Sequence, residues 1–538
     1  KMASSLGGNI SENAGGPYAF EYGTTLDNIY SYKMVRPDGE VIEVRRSNHP
    51  WHKIYPDQEA TFEILNEDGE IEDTIRLRDD EIRTQGLGKD VTNKRLGGLP
   101  GVQKEGIDGI ITEASFTLHK KLDYSQTLCM EFYGKSMHNA TLVIKDLVHL
   151  RNSIQKHSNL VTMSALEEFG SKYVRAIEYT KKSQTYEGEP ISVLLIQLDS
   201  NNKRMLHDTV WTIVDIAEHY ENVDVFVADD EEQSHEFWED RHRLSAISRK
   251  TSGFKINEDI VIPLDKIPEF SDFLESMNLK YLAIAYKNAL QKIRSLPGIE
   301  TSDEFVEMEL DITQRLLAGN ILDHVNAEQD YALQAHYFFQ DLFYRYPEQK
   351  HVLQKIEEEL FSTRLEIANH MHAGDGNCHV NIPVHANNPE MLHQAEEAVD
   401  RVFKKVLSLG GQVSGEHGIG ITKIGYLSED KIDDLAQYSK QVDPHKIMNP
   451  EKLSSKVLVV SPYTFSWDRL IQDFSYTDMP HKEQLSQQLK HIQICTRCGK
   501  CKQVCPMYYP EKGMLNHPRN KNISMGYLLE ALLYTQTI

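Results

Sequence analysis

Hydrophobic and polar positions alternate along most of this chain, and the period of the alternation changes from region to region. From residue 1 to about 120 it is short and strand-like: YKMVRPDGEVIEV reads as two strands turning at Pro37-Asp38-Gly39, and GIITEASFTL as a further apolar strand. Glycine pairs at Gly7-Gly8 and Gly15-Gly16 punctuate this region. Between about 125 and 455, the β-rich runs LCMEFYG, SVLLIQLD, VDVFVAD, DIVIPL, EIANHMH and HVNIPV interleave with helical periodicity. The stretch 203–220, for instance, sets Leu206, Val210, Ile213 and Ile216 at three- and four-residue intervals. Strands and helices mixed in this way predict an α+β unit whose helices cover an antiparallel sheet. Residues 302–366 predict a long, charged helical insertion with solvated polar faces and no assigned chemistry. From 456 to 490 the pattern weakens into an expected linker, and no internal repeat or low-complexity tract interrupts the chain.

With 538 residues the chain has room for about three or four domains. Its formal charge of -23 would repel a phosphate backbone, and no basic stripe offsets it, which excludes nucleic acid as a partner. Outside one C-terminal cluster the only cysteines are Cys129 and Cys378, the sparse usage of a reducing compartment. No run approaches the ~18 apolar residues of a spanning helix, and no secretory leader is evident. The expected location is the cytoplasm, with a peripheral position at the inner face of the membrane as the alternative. The first residue is Lys1 and the last segment, GYLLEALLYTQTI, runs in an apolar helical pattern without a cap, so a piece of a longer polypeptide is expected.

Three motifs carry chemistry. CTRCGKCKQVCP sets Cys495, Cys498, Cys501 and Cys505-Pro506 at the spacing by which bacterial-type ferredoxin modules hold 4Fe-4S clusters. A zinc site would more often separate two C-x-x-C knuckles by a long spacer. In two-cluster modules the fourth thiolate reaches the other cluster, so a second cysteine run is expected beyond Ile538; a single cluster closed by Cys505 is the competing geometry. Upstream, Gly7-Gly8 and Asn13-Ala14-Gly15-Gly16 follow Ser4-Ser5, which suits close backbone approach to a phosphate or flavin and equally suits a pair of tight turns. Finally, His372 and His379 flank a Gly-Asp-Gly turn, and GEHGIG places Glu416 beside His417 some forty residues on. Two His- and Gly-rich loops carrying acids can converge on one metal or one substrate.

The strings GGNISENAGGPYAFEYGTTLDNI, PDGEVI and KEGIDGIITEASFTL resemble the FAD-binding domain of a flavoenzyme family that includes D-lactate dehydrogenases, glycolate oxidase large subunits and D-2-hydroxyglutarate dehydrogenases. HAGDGNCH and GEHGIG resemble the metal and base motifs of the same family's cap domain. The resemblance implies FAD bound by Gly7, Gly8, Asn13, Gly15, Gly16, Gly106, Ile110, Ile111 and Asn449, the last in HKIMNPEKL, which is similar to the segment that closes the cap. It implies a divalent metal (Zn, Mn or Fe) on His372, His379 and Glu416, His417 as the base beside the flavin, and Arg241 and Lys255 as binders of the substrate carboxylate. The implied architecture is the second lobe of a vanillyl-alcohol-oxidase-type FAD-binding domain over 1–122, a cap domain over 123–455, the linker 456–490 and a small α-helical ferredoxin-like module over 491–538. The family's first, phosphate-loop lobe would precede Lys1.

The implied activity is oxidation of a D-2-hydroxy acid, D-lactate or glycolate-like, to the 2-oxo acid, with electrons leaving through the clusters to a quinone, cytochrome or redox protein. Nicotinamide is not implied, because no strand–GxGxxG–helix unit is evident. An electron-transfer subunit with a non-catalytic flavin-domain remnant is the rival reading. Oxidation of ether-linked or phenolic substrates is a third, although it would not need the Glu-His and metal pair.

Overall fold

Alternating apolar positions lay down two antiparallel sheets. The computed structural model describes residues 4–48, 53–157, 160–251, 255–299, 304–319, 328–385, 387–450, 452–453, 466–493, 495, 499, 501–509, 511 and 516–534. The first sheet contains β1 (Ile29–Val35), β2 (Val41–Asn48), β3 (Glu59–Leu65), β4 (Ile71–Arg78) and β5 (Ile110–Phe116), in the order β4-β3-β2-β1-β5. Met34 pairs with Ile42 and Val44 with Ile64, so one face buries these residues with Tyr32, Phe62 and Leu77. The β1–β2 hairpin closes where Gly39, at φ 92°, donates its N–H to the Arg36 carbonyl at 3.0 Å. β5 leaves one edge of this sheet without a strand partner among the described residues. Gly7 and Gly8, for which turns were one expectation, instead begin the helix Leu6–Glu12, because the Ser5 hydroxyl accepts the Gly8 N–H at 3.1 Å and caps it.

The second sheet holds seven strands: β6 (Tyr124–Phe132), β7 (Val161–Gly170), β8 (Ser192–Ser200), β9 (Val223–Val227), β10 (Lys255–Val261), β11 (Ala368–His372) and β12 (Asn377–Pro383). Their order is β10-β12-β11-β7-β8-β6-β9. One face packs the main core against the helices His138–His157, Lys203–Glu218, Ile267–Arg294 and Pro389–Ser408. The other splits between a smaller apolar cluster around Phe169, Tyr173 and Ile247 and a polar patch described below.

The insertion at 302–366 does more than present charge. Its helices Glu304–Leu317, Glu328–Arg345 and Lys350–Thr363 pack with the second half of Ile267–Arg294 around a separate core that includes Tyr286, Leu290, Phe338 and Leu342. Of the expected linker 456–490, residues 456–465 lie outside the described residues, and the described part, 466–490, departs from a linker. Trp467–Ser475 and Lys482–Gln493 are helices that share a small core with Pro518–Tyr534, since Trp467, Leu470 and Phe474 form an apolar stripe at helical spacing. Cys495, Cys501 and Cys505 are half-buried beside these helices, and Cys498 lies outside the described residues. Among the described residues no helix is long and apolar enough to cross a membrane.

Candidate active site

Four strands build the polar patch. Glu167 on β7 lies opposite His372 on β11, His370 on β11 opposite His379 on β12, and His379 opposite Asp259 on β10. Successive strand residues face opposite ways, so these groups share one face while Met371, Cys378 and Ile260 point into the main core. The Gly-Asp-Gly turn between β11 and β12 needs its glycines: at Gly376, with φ 73°, a Cβ would stand 2.2 Å from the Ile262 carbonyl.

The loop after helix Pro389–Ser408 brings Glu416 over this face. Its Oε1 is 3.3 Å from His379 Nε2 and 3.6 Å from His372 Nε2. His372, His379 and Glu416 are buried, and their ligand atoms all fall within 4.8 Å of one another, the one such group found among the described residues. Behind them Glu167, wholly buried, accepts from His372 Nδ1 at 2.6 Å and from Arg241 Nε at 2.8 Å. Asp259 accepts the Gly415 and Glu416 N–H groups at 2.6 Å each and pairs with Lys423 at 2.8 Å, which fixes the GEHGIG turn. His417 stands at the patch edge, partly exposed, its ring 5.0 Å from that of His379 and its Nδ1 3.7 Å from Asp259 Oδ1.

Electrostatics sorts these groups. Burial pushes His379 down to about 3. Burial also acts downward on His372, but the Glu167 carboxylate outweighs it and the net shift is upward. Burial would raise Glu416, yet the Lys89 ammonium and His372 hold it well below the usual carboxylate range. Burial, followed by the Arg241 charge, pushes Lys255 down to about 8, and the same causes press His370 well below an ordinary imidazole.

The expected substrate binders are partly engaged by neighbours. Arg241 is held by Glu167, and Lys255 donates to the Asn381 side chain. Of the expected flavin residues, Gly7, Gly8, Gly106, Ile110, Ile111 and Asn449 line one cleft of about 560 Å³. The other three lie elsewhere. Asn13 is buried, with its Nδ2 donating to Gln103 Oε1 and its Oδ1 accepting the Leu26 N–H, both at 2.8 Å, so its amide is committed inside the lobe. Gly15 packs on Glu416 and Lys89, and the Gly16 carbonyl caps the short helix Ala19–Tyr22.

Sequence reasoning passed over Glu167, His370, Asp259, Asp375 and Lys89. Lys89 is fully buried, and its ammonium lies 3.2 Å from Glu416 Oε2 and 3.3 Å from Asp375 Oδ2. A signal existed for the first of these: two adjacent acids, Glu167-Glu168, interrupt an otherwise apolar run.

A family model described as FAD linked oxidases, C-terminal domain, matches residues 139–283 and 333–453, and one described as FAD binding domain matches residues 1–45. The chain is 23% identical over 459 residues to the glycolate oxidase subunit GlcD of Escherichia coli strain K12, an alignment covering 84% of this chain and 64% of that protein. It is 21% identical over 458 residues to a D-lactate dehydrogenase of Anaerostipes hadrus, covering 84% and 69%. Among solved structures, p-cresol methylhydroxylase with substrate bound aligns at a TM-score of 0.44 and 10% identity, over 84% of this chain and 69% of that one.

Proposed function

Since the chain belongs to the FAD-linked oxidase family, we propose that it oxidises a D-2-hydroxy acid of the D-lactate or glycolate type to the 2-oxo acid, with a divalent metal held by His372, His379 and Glu416. The observation that carries this reading is the convergence of two imidazole nitrogens and one carboxylate oxygen within 4.8 Å, with His417 at their edge. The donor set fits Zn, Mn or Fe, and three protein ligands leave coordination positions open. FAD is assigned to the cleft lined by Gly7, Gly8, Gly106, Ile110, Ile111 and Asn449, where these expected flavin residues meet.

When bound, the metal supplies a Lewis acid that lowers the pKa of the substrate hydroxyl, and FAD supplies the two-electron acceptor. The protein's own groups do the rest. Glu167 accepts the Nδ1 proton of His372 and so keeps the Nε2 lone pair toward the ligand position. His417 takes the hydroxyl proton, with Asp259 behind its Nδ1 to orient the ring. Lys255 and the terminal nitrogens of Arg241 bind the substrate carboxylate. Cys495, Cys498, Cys501 and Cys505 would hold 4Fe-4S iron, which would supply one-electron transfer onward to a quinone, cytochrome or redox protein. The test is anaerobic: FAD-loaded protein mixed with a panel from glycolate to D-2-hydroxyglutarate should bleach its flavin absorbance with at least one acid. Folded, FAD-loaded protein that stays oxidised with the whole panel overturns the assignment.

A further inference from the structure

Glu416 presents its two oxygens in opposite directions. Oε1 faces the two imidazoles, whereas Oε2 faces Lys89, which comes from the loop of the first lobe ahead of β5. The Lys89 side chain is fully buried and its Nζ lies within 3.3 Å of three oxygens, Glu416 Oε2, Asp375 Oδ2 and Asn377 Oδ1, while an ammonium carries three N–H donors. Gly15, from the same lobe, walls the contact: a Cβ there would stand 3.0 Å from both Glu416 Oε2 and Lys89 Cε. Neither the ammonium nor the carboxylate oxygen it holds has room to swing away on that side.

We propose that Lys89 is a positioning residue which holds Glu416 Oε2 so that the carboxylate offers a single oxygen to the metal, leaving coordination positions for the hydroxyl and carboxylate of the substrate. This rests on the metal reading above. A carboxylate without such a partner can turn and chelate through both oxygens. On a centre with two imidazoles, that extra bond occupies a place the substrate needs. Lys89 and Gly15 belong to the flavin lobe and the ligands to the other sheet, so the metal's coordination number also depends on how the two lobes dock.

The experiment loads the protein with Co(II), whose visible d–d bands weaken as coordination number rises, and titrates it with oxalate as a small chelating stand-in for the substrate. Lys89→Met should still take up Co(II), but with a weaker d–d band and oxalate binding weakened at least about tenfold, roughly one charge-assisted hydrogen bond's worth. Ethylammonium, which fits the space opened by Lys89→Ala, should restore band and affinity in a concentration-dependent way. Removing the cation leaves Asp375 and Glu416 buried together, so Lys89→Met/Asp375→Asn carries the same test should the single variant not fold. A Co(II) band and an oxalate affinity unchanged in these variants overturn the role of Lys89 alone. Wild-type protein that takes up no Co(II) overturns the metal reading and this inference with it.

Discussion

Replacing Glu167 by Gln perturbs the site from behind without touching a ligand. Its two oxygens are divided, Oε1 to His372 Nδ1 at 2.6 Å and Oε2 to Arg241 Nε at 2.8 Å, and its side chain is wholly buried. Glutamine keeps one acceptor and puts an NH₂ where the other stood, so either the His372 or the Arg241 N–H then faces a donor. Losing the carboxylate behind a metal-binding imidazole should weaken metal binding by about 10- to 100-fold, or roughly 1.4–2.7 kcal/mol. A second cost falls on folding. The Arg241 side chain is only 14% exposed, and loss of its partner should cost toward the lower end of the ~3–5 kcal/mol typical of a broken buried pair. Burial opposes ionisation of Glu167, but His372 and then Arg241 outweigh it and lower its pKa. The pair therefore stabilises the fold above the ordinary carboxylate range and its contribution is lost as pH falls below that range. Competition against a chromophoric chelator reads the metal affinity, and urea midpoints read the stability. If Glu167→Gln binds metal as tightly as the wild type, the carboxylate is not supporting a metal ligand and the reasoning fails.

Other substitutions separate the remaining roles. His417→Ala should slow flavin reduction by about 10²–10⁴ while metal content stays full, whereas His379→Ala or Glu416→Ala should lose the metal; full occupancy in either would sink the ligand assignment. With Lys255 titrating near 8, the free protein should lose a cation as pH climbs through that value, and KM for the hydroxy acid should rise about 10- to 100-fold, a step absent in Lys255→Met. Anaerobic reconstitution with iron and sulfide should load 4Fe-4S iron on this chain, lost on Cys498→Ser; a folded chain that takes up no iron would refute the cluster reading.

The sequence disclosed those parts of the site whose chemistry is unusual. Histidines beside glycines stand out, and the structure places His372, His379 and Glu416 together from three separate segments. The supporting shell was hidden because its members look ordinary. VTMSALEEFG breaks strict alternation with two acids, so β7 and Glu167 escaped, although Glu167 and Glu168 merely turn to opposite faces and are both buried. GKDVTNK reads as a polar loop, yet tertiary contacts bury Lys89 completely. Residues 467–493 were blurred by many polar residues around a narrow apolar stripe that only the C-terminal helix completes. Gly7-Gly8 carries a poor helix propensity that one serine cap overrides.

The helix Ile267–Arg294, about 42 Å long, belongs to two cores: its fully buried apolar residues from Ile267 to Tyr281 pack in the main one, those from Leu282 to Ile293 in that of the insertion. Its first half is anchored without help from the second. The insertion can therefore open as a cooperative unit once the buried pair of Glu328 with Lys172, which follows β7, is broken, fraying the far end of the helix while the histidine-bearing sheet stays closed. Amides at Tyr286 to Ile293 would then exchange with solvent together with those of Phe338 to Leu342, ahead of global unfolding.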